Sequence, residues 1–246
     1  MSSIDKKQVE EFFSSAANLH QNENAVLDVA AGQQHANIYR NYFTKNYILK
    51  NINAKKNETI LDFGCGVGRI TKLIAEKAME VVGVDSNASM IETAKRKFSG
   101  KKNIRYELLN EIKITVGENY FNAAFSHWVF QHINDAESIQ WLNELKRVVK
   151  PDGRILLFEQ VKNETAETAK HLFRSQKHYL SLFDKAEMKT ISVFPVMRVP
   201  ARGMSLWNNL PDVKFLLPVL SSIDKLTINR KPALASYFTY CFVLHK

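Results

Sequence analysis

Apolar positions along this chain follow two periods in turn. Between Glu58 and Gln160, short runs rich in β-branched and apolar residues alternate with stretches whose apolar residues recur every three or four positions. The runs Ile60–Phe63, Val81–Val84, Ile104–Leu109, Ala123–Phe125 and Arg154–Phe158 predict five strands, the first with the apolar, β-branched character of a strand buried on both faces. Between them, Arg69–Met79 carries Ile70, Leu73, Ile74 and Met79 at helical spacing. Ser86 is placed to cap a helix running to Phe98. Asn134 or Asp135 caps another, with Ile139, Leu142, Leu145, Val148 and Val149 on one face. Pro151-Asp152-Gly153 is a turn, since proline fixes φ and glycine frees it. Strands alternating with helices predict an α/β, Rossmann-like doubly wound sheet.

The flanks read differently. Gln8–Phe13 and Asn37–Ile52 are expected to be helices, the second with Tyr39, Tyr42, Phe43, Tyr47 and Ile48 on one side. Ala25–Gln33 between them is small and polar, as a lid would be. Thr165–Ala186 is expected to be helical in two pieces, and Met188–Phe194 and Ser236–Leu244 to be strands. The 41 residues from Pro195 to Ala235 hold Pro195, Pro200, Pro211, Pro218, Pro232 and Trp207, with an apolar helix near Val213–Leu226. A connection that long is usually functional, so it is expected to cap a substrate or to mediate dimerisation. The resulting division is an N-terminal helical segment (1–56), a core (57–194 with 236–246) and an inserted cap (195–235).

Composition narrows the class. The 246 residues are 45% hydrophobic, 24% charged and 11% aromatic, ordinary for one globular domain with embellishments. The net charge of +9 raises nucleic acid or a membrane surface as partners, but the lysines are spread along the chain rather than clustered on a motif. Cys65 and Cys241 cannot make a disulfide framework, and no metal-ligand spacing occurs. MSSIDKKQVEEFF lacks an apolar signal core, and Val213–Leu220 is too short to span a bilayer. The expectation is a soluble, cytoplasmic protein with no membrane span and no nucleic-acid partner. A homodimer stays open.

The chemistry concentrates where the first strand ends. Gly64, Gly66 and Gly68 form a GxGxG loop, Cys65 lies inside it as a small residue, and Asp85 closes the second strand 17 residues after Gly68. A carboxylate there can accept from both hydroxyls of a ribose. The dinucleotide fingerprint GxGxxG would put its third glycine at position 69, where this chain has Arg69. Asp62, two residues before the loop, would repel a pyrophosphate but suits a ligand bearing an ammonium group. That description fits S-adenosylmethionine.

ILDFGCGVGRIT, VVGVDSN, FNAAFSHWVFQHI and LKRVVKPDGRILLFEQ, taken in order, resemble the successive motifs of class I S-adenosylmethionine-dependent methyltransferases, of the type 11 kind. The resemblance covers roughly Glu58 to Gln160. It implies a seven-stranded, mostly parallel sheet whose last strand inserts antiparallel between the fifth and sixth. It also implies cofactor contacts from Asp62, Gly64, Cys65, Gly66, Gly68, Arg69, Asp85 and Ser86. Met90 would pack near the adenine, and Asn110 or Glu111 would stand where the family often has an acid near the adenine amino group. The backbone at Ser126 would take the ammonium, and Tyr39 and Arg40 would approach the carboxylate. Asn122 stands where the family commonly has an acid.

Methyl transfer needs an acceptor held in line with the sulfonium, and no metal. If the acceptor is a hydroxyl, a histidine near neutral pH is a fitting base. His127 and His132 follow the fourth strand, and His178 lies on a later helix. Trp128, Gln131, Tyr179 and Trp207 are candidate substrate contacts, with Trp128 able to face a cation. The expected function is methylation of a small molecule or sugar, at oxygen. The competing readings are an NAD-dependent oxidoreductase, disfavoured by the missing glycine spacing, and a non-catalytic module binding S-adenosylmethionine or nucleic acid, for which no RNA motif speaks.

Overall fold

The computed structural model describes residues 4–19, 34–200, 214–219, 222 and 235–246. Helices α1 (Lys6–Leu19) and α2 (Gln34–Ile52) precede a core of β1 (Thr59–Phe63), α3 (Thr71–Ala75), β2 (Glu80–Asp85), α4 (Ala88–Phe98), β3 (Ile104–Leu108), β4 (Phe121–His127), α5 (Asp135–Val148) and β5 (Val149–Val161). A small hairpin, β6 (Ala166–Glu167) and β7 (Leu172–Phe173), leads to α6 (Gln176–Lys185), β8 (Lys189–Pro200) and β9 (Ala235–His245). The main sheet has seven strands in the order β3-β2-β1-β4-β5-β9-β8. β9 runs antiparallel to both β5 and β8, and the other pairs are parallel, so the expected fold class is the one observed.

Alternation along each strand divides the core into two layers. Leu61, Val82, Ala124, Ile155 and Leu157 face α5 and α6. Ile60, Val81, Ala123, Leu156 and Phe158 face α2 and α3. Both faces are covered, which is why these strands read as continuous apolar runs. A third, smaller cluster of Cys65, Ile91, Ala94 and Tyr106 seats α4. The reversal of strand order between β1 and β4 opens a crevice at the carboxyl ends of the strands, where ligands bind in sheets of this type.

Several local expectations change. The helix after the glycine loop is only Thr71–Ala75, not Arg69–Met79. The cap of α4 is Asn87, whose side chain accepts from Met90 N, rather than Ser86. Asn134, not Asp135, caps α5, accepting from Glu137 N. The strand expected at Arg154–Phe158 begins at Val149, and residues 150–153 bulge out between the pairs Phe121↔Val149 and Ala123↔Arg154. Thr165–Ala186 is a hairpin followed by α6, not a helix in two pieces. Its first half has no apolar stripe at helical spacing to bury. β8 runs through Pro200, so the sheet takes in residues expected in the insertion. The proposed lid at Ala25–Gln33 and most of the 195–235 segment, Trp207 included, lie outside the described residues.

Candidate active site

A cavity of about 710 Å³ opens at the carboxyl ends of β1, β2 and β4, within the range typical of small-molecule sites. One end is formed by the turn after β1. Gly64 has φ +77, and a Cβ there would collide with Val129, so only glycine brings this loop against the turn after β4. Gly66 N donates to Asp85 Oδ2 and Asn87 N to Asp85 Oδ1, both at 2.9 Å, which fixes the carboxylate at the rim. Asp62 is buried, and its Oδ2 accepts from Thr71 Oγ1 at 2.6 Å. Burial pushes the Asp62 carboxyl up to about 7, Asp85 adds to the shift, and Thr71 opposes it. Burial also raises Asp85. A bound cation would reverse this preference for the neutral acid.

Arg40, Cys65, Arg69, Ser86, Met90, Asn110 and Glu111 also line the cavity. Arg69 Nη1 donates to Asn41 Oδ1 at 2.8 Å, tying the loop to α2. Burial pushes the Cys65 thiol well up, which keeps it an inert packing group. Three residues expected to contact a cofactor do not line the cavity. Gly68, at φ +75, gives its missing Cβ space to Tyr106 and serves packing. Tyr39 is buried against Phe43, ring centroids 4.2 Å apart. Ser126 is fully buried inside the sheet and donates its hydroxyl to Glu159 Oε1, while its neighbours Phe125 and His127 reach the cavity.

The other end is built by the turn after β4, by α1 and by the β6–β7 hairpin. Trp128 has φ +60, a conformation costly for a non-glycine residue, and its indole Nε1 donates to Thr239 Oγ1 at 3.2 Å. Two buried charged residues hold this strained turn. Glu159 Oε1 accepts from Val129 N at 3.1 Å and Phe130 N at 3.2 Å. Arg174, fully buried, donates to Phe130 O at 2.5 Å, Ile133 O at 2.7 Å and Asp135 Oδ1 at 2.9 Å. Burial raises Glu159 to about 7, against the pull of its donors and Arg174.

His127 and His132 both line the cavity. His127 Nε2 shares a 2.6 Å hydrogen bond with the Tyr47 hydroxyl, and its ring stacks on Trp128 at 4.5 Å. Burial pushes His127 well down and His132 to about 4, so both are neutral near pH 7. The tautomer of His132 follows from its partners. Nδ1 lies 2.8 Å from Lys170 O, which only accepts, so Nδ1 carries the proton. Nε2 then holds the lone pair and accepts from Gln131 Nε2 at 3.2 Å.

His178 and Tyr179 are not brought to the cavity. His178 Nε2 bonds Asp135 Oδ2 at 2.7 Å and its Nδ1 bonds Thr165 Oγ1, fastening the hairpin to α5. Tyr179 is fully buried between Phe183 and Phe242. Phe12, Phe13, His171 and Phe173 also line it, although no sequence motif marks them. His171-Leu172-Phe173 is a lone stretch inside a segment expected to be helical, and unpatterned residues separate α1 from the core in the sequence.

Residues 61–157 match the family profile of a methyltransferase domain. A demethylmenaquinone methyltransferase of Symbiobacterium thermophilum is 27% identical over 187 residues, 73% of this chain and 70% of that protein. The chain spans less of other curated relatives, 34%, 60% and 24% of three of them. A SAM-dependent methyltransferase of Leishmania major has the same fold with a TM-score of 0.67 at 18% identity, covering 97% of this chain and 82% of that one. Phosphoethanolamine N-methyltransferase 1 of Haemonchus contortus, solved with phosphoethanolamine and S-adenosylhomocysteine, gives 0.67 at 17% identity over 98% of this chain and 49% of that one.

Proposed function

We propose that this chain, which carries a class I S-adenosylmethionine-dependent methyltransferase domain, methylates a small-molecule acceptor at oxygen, with His132 as the general base. One observation carries the reading: a single cavity joins the Asp85–Gly64 end to the Gln131–His132 end. The residues fit the cofactor. Asp85 is fixed at the rim for a ribose, Asp62 lies buried where an ammonium would be welcome, and Arg40 and Arg69 offer cations for a carboxylate. When bound, S-adenosylmethionine supplies a methyl group already activated by a sulfonium.

This chain's own part is to bind, to orient and to exclude water. Trp128 and Trp141 wall the cavity between its ends. The acceptor hydroxyl approaches His132, whose Nε2 carries the lone pair because Nδ1–H is held by Lys170 O. With the cofactor bound, the acceptor oxygen would take the methyl group as the carbon–sulfur bond breaks and leaves a neutral thioether, and the acceptor's proton would pass to that Nε2. His127 is the weaker candidate, since Tyr47 engages its Nε2 at 2.6 Å, whereas His132 Nε2 is held only by the longer 3.2 Å contact from Gln131, which the acceptor hydroxyl would replace. Within the division into a 1–56 segment, a core (57–194 with 236–246) and a 195–235 insertion, helices α1 and α2 pack on the core, and the role proposed for the insertion is substrate closure or self-association. Calorimetric titration with S-adenosylhomocysteine, with NAD as control, tests the cofactor half. Binding of NAD alone would overturn the reading. His132→Ala is expected to cut transfer to a hydroxyl acceptor by about 100-fold or more while leaving cofactor affinity intact. An unchanged rate would remove the base assignment.

A further inference from the structure

Two polar groups on the wall of the cavity lack a partner among the described residues. The first is Gln160, which follows Glu159 on β5, is 5% exposed and lines the cavity. Its amide makes no hydrogen bond among the described residues, and neither its oxygen nor its nitrogen is sealed off from the cavity. Thr239, directly opposite on β9, does not serve it, since the Thr239 hydroxyl accepts from Trp128 Nε1 at 3.2 Å. A polar group so deeply buried is ordinarily hydrogen-bonded, and one that opens on a cavity is met there by a ligand or by water.

The second is Nδ1 of His127, a half-buried residue that also lines the cavity. Its other nitrogen, Nε2, lies 2.6 Å from the Tyr47 hydroxyl. N–H donors stand about 2.7–3.2 Å from oxygen, so the shorter contact marks the hydroxyl as the donor. The phenol has one proton to give, and its other neighbour, Thr44 Oγ1, is farther away at 3.4 Å. Nε2 therefore accepts, and the neutral ring carries its proton on Nδ1.

These two groups stand on one face of the sheet. Phe125 and Phe158 belong to the layer against α2, and His127 and Gln160 each follow two residues later. His127 pairs with Phe158, so Gln160 is its diagonal neighbour, about 8 Å away by strand spacing and rise. β5 is the third strand from β2, which carries Asp85, in the order β2-β1-β4-β5. That puts the pair about 14 Å across the sheet from the strand that holds the ribose.

We infer that His127 and Gln160 form a subsite for a carbonyl oxygen of the acceptor, which accepts from His127 Nδ1–H on one side and from the Gln160 amide N–H on the other. A carbonyl oxygen has two lone pairs, and the Gln160 amide is free to present its nitrogen because neither of its ends is committed. Both partners are uncharged near neutral pH, since burial holds His127 well below its ordinary range, so the pair suits a ketone or amide rather than a carboxylate. Gln160 is then a specificity-determining residue, and the acceptor class is an uncharged compound with a carbonyl besides its reacting hydroxyl. The inference rests on the methyltransferase reading and narrows its acceptor.

The test uses the full chain saturated with S-adenosylhomocysteine, titrated calorimetrically with 4-(4-hydroxyphenyl)butan-2-one, with 4-butylphenol, which lacks only the carbonyl, and with 3-(4-hydroxyphenyl)propanoate. The readout is the ratio of ketone affinity to alkane affinity, which cancels changes common to both phenols. Gln160→Leu is expected to lower that ratio by about tenfold or more, the scale of leaving a buried polar group unpaired, and to leave S-adenosylhomocysteine affinity unchanged. Should Gln160→Leu fail to fold, Gln160→Met keeps the length of the side chain and carries the same expectation. Tyr47→Phe, which frees His127 to hold its proton on either nitrogen, should lower the ratio by a smaller factor. An unchanged ratio in the folded Gln160 variant or in Tyr47→Phe, no binding of either phenol, or tighter binding of the propanoate than of the ketone would each overturn the subsite. Failure of the parent chain to bind S-adenosylhomocysteine would sink the methyltransferase reading instead, so the two failures are distinguishable.

Discussion

The two ends of the cavity are made of different materials. At the Asp85 end the acids and glycines, Asp62, Gly64, Gly66 and Asp85, are set by strand ends and a loop that are neighbours in sequence, and Arg40 reaches in from α2. At the Gln131 end the lining groups are long side chains from α1, the turn after β4 and the β6–β7 hairpin. Their positions depend on Arg174 and Glu159 reaching across tens of residues. The first end is fixed by local geometry and shared with the matched domain. The second is held by buried polar clamps and takes only part of its wall from that domain; α1 and the β6–β7 hairpin lie outside it, in parts free to differ between proteins with one cofactor and many acceptors.

The largest effect that would break this contrast is at Arg174. Arg174→Leu removes the donors to Phe130 O and Ile133 O and should cost about 2–4 kcal/mol, read as a lower urea midpoint at unchanged slope. A variant as stable as the parent would mean that the strained turn at Trp128 holds itself. Asp85→Ala is the matching cut at the other end. It should weaken S-adenosylhomocysteine binding by about 1–3 kcal/mol while leaving the urea midpoint of the cofactor-free protein little changed. A lowered midpoint as well would show that the two ends are not separately built.

A smaller effect is pH-dependent. Because the folded protein holds Glu159 near 7, above an ordinary carboxyl, it favours the protonated form. The stability associated with that preference is complete below the ordinary carboxyl range and is lost as pH rises through about 7. Asp62 acts in the same direction. His132, lowered to about 4, acts oppositely, losing stability as pH falls below the ordinary imidazole range. Glu159→Gln should therefore flatten the fall in melting temperature between pH 5 and 8 by about 3–6 °C, measured by calorimetry on the protein without cofactor. A fall as steep as the parent's would assign the whole slope to Asp62 and Asp85.

The pattern of apolar runs was enough for the centre of the sheet, because β1, β2 and β4 are buried on both faces. β1, β2 and β4 sit where their hydrophobicity puts them, and β9 enters antiparallel between β5 and β8 as the resemblance implied. Where the pattern thinned, local structure was misread. The five-residue α3 is too short to show a period, and the β6–β7 hairpin, read as helix, buries little beyond Leu172.

Sequence by itself determined the glycine loop, the acid at the end of β2 and the alternation that layers the core. These depend on residues close in the chain and on backbone freedom that only certain side chains permit. Tertiary structure alone decided that His178 and Tyr179 lie away from the cavity, that His132 keeps its lone pair on Nε2, and that α1 and the hairpin meet across it. Hydrogen-bond partners and burial are properties of neighbours in space, and those neighbours stand tens of residues away along the chain.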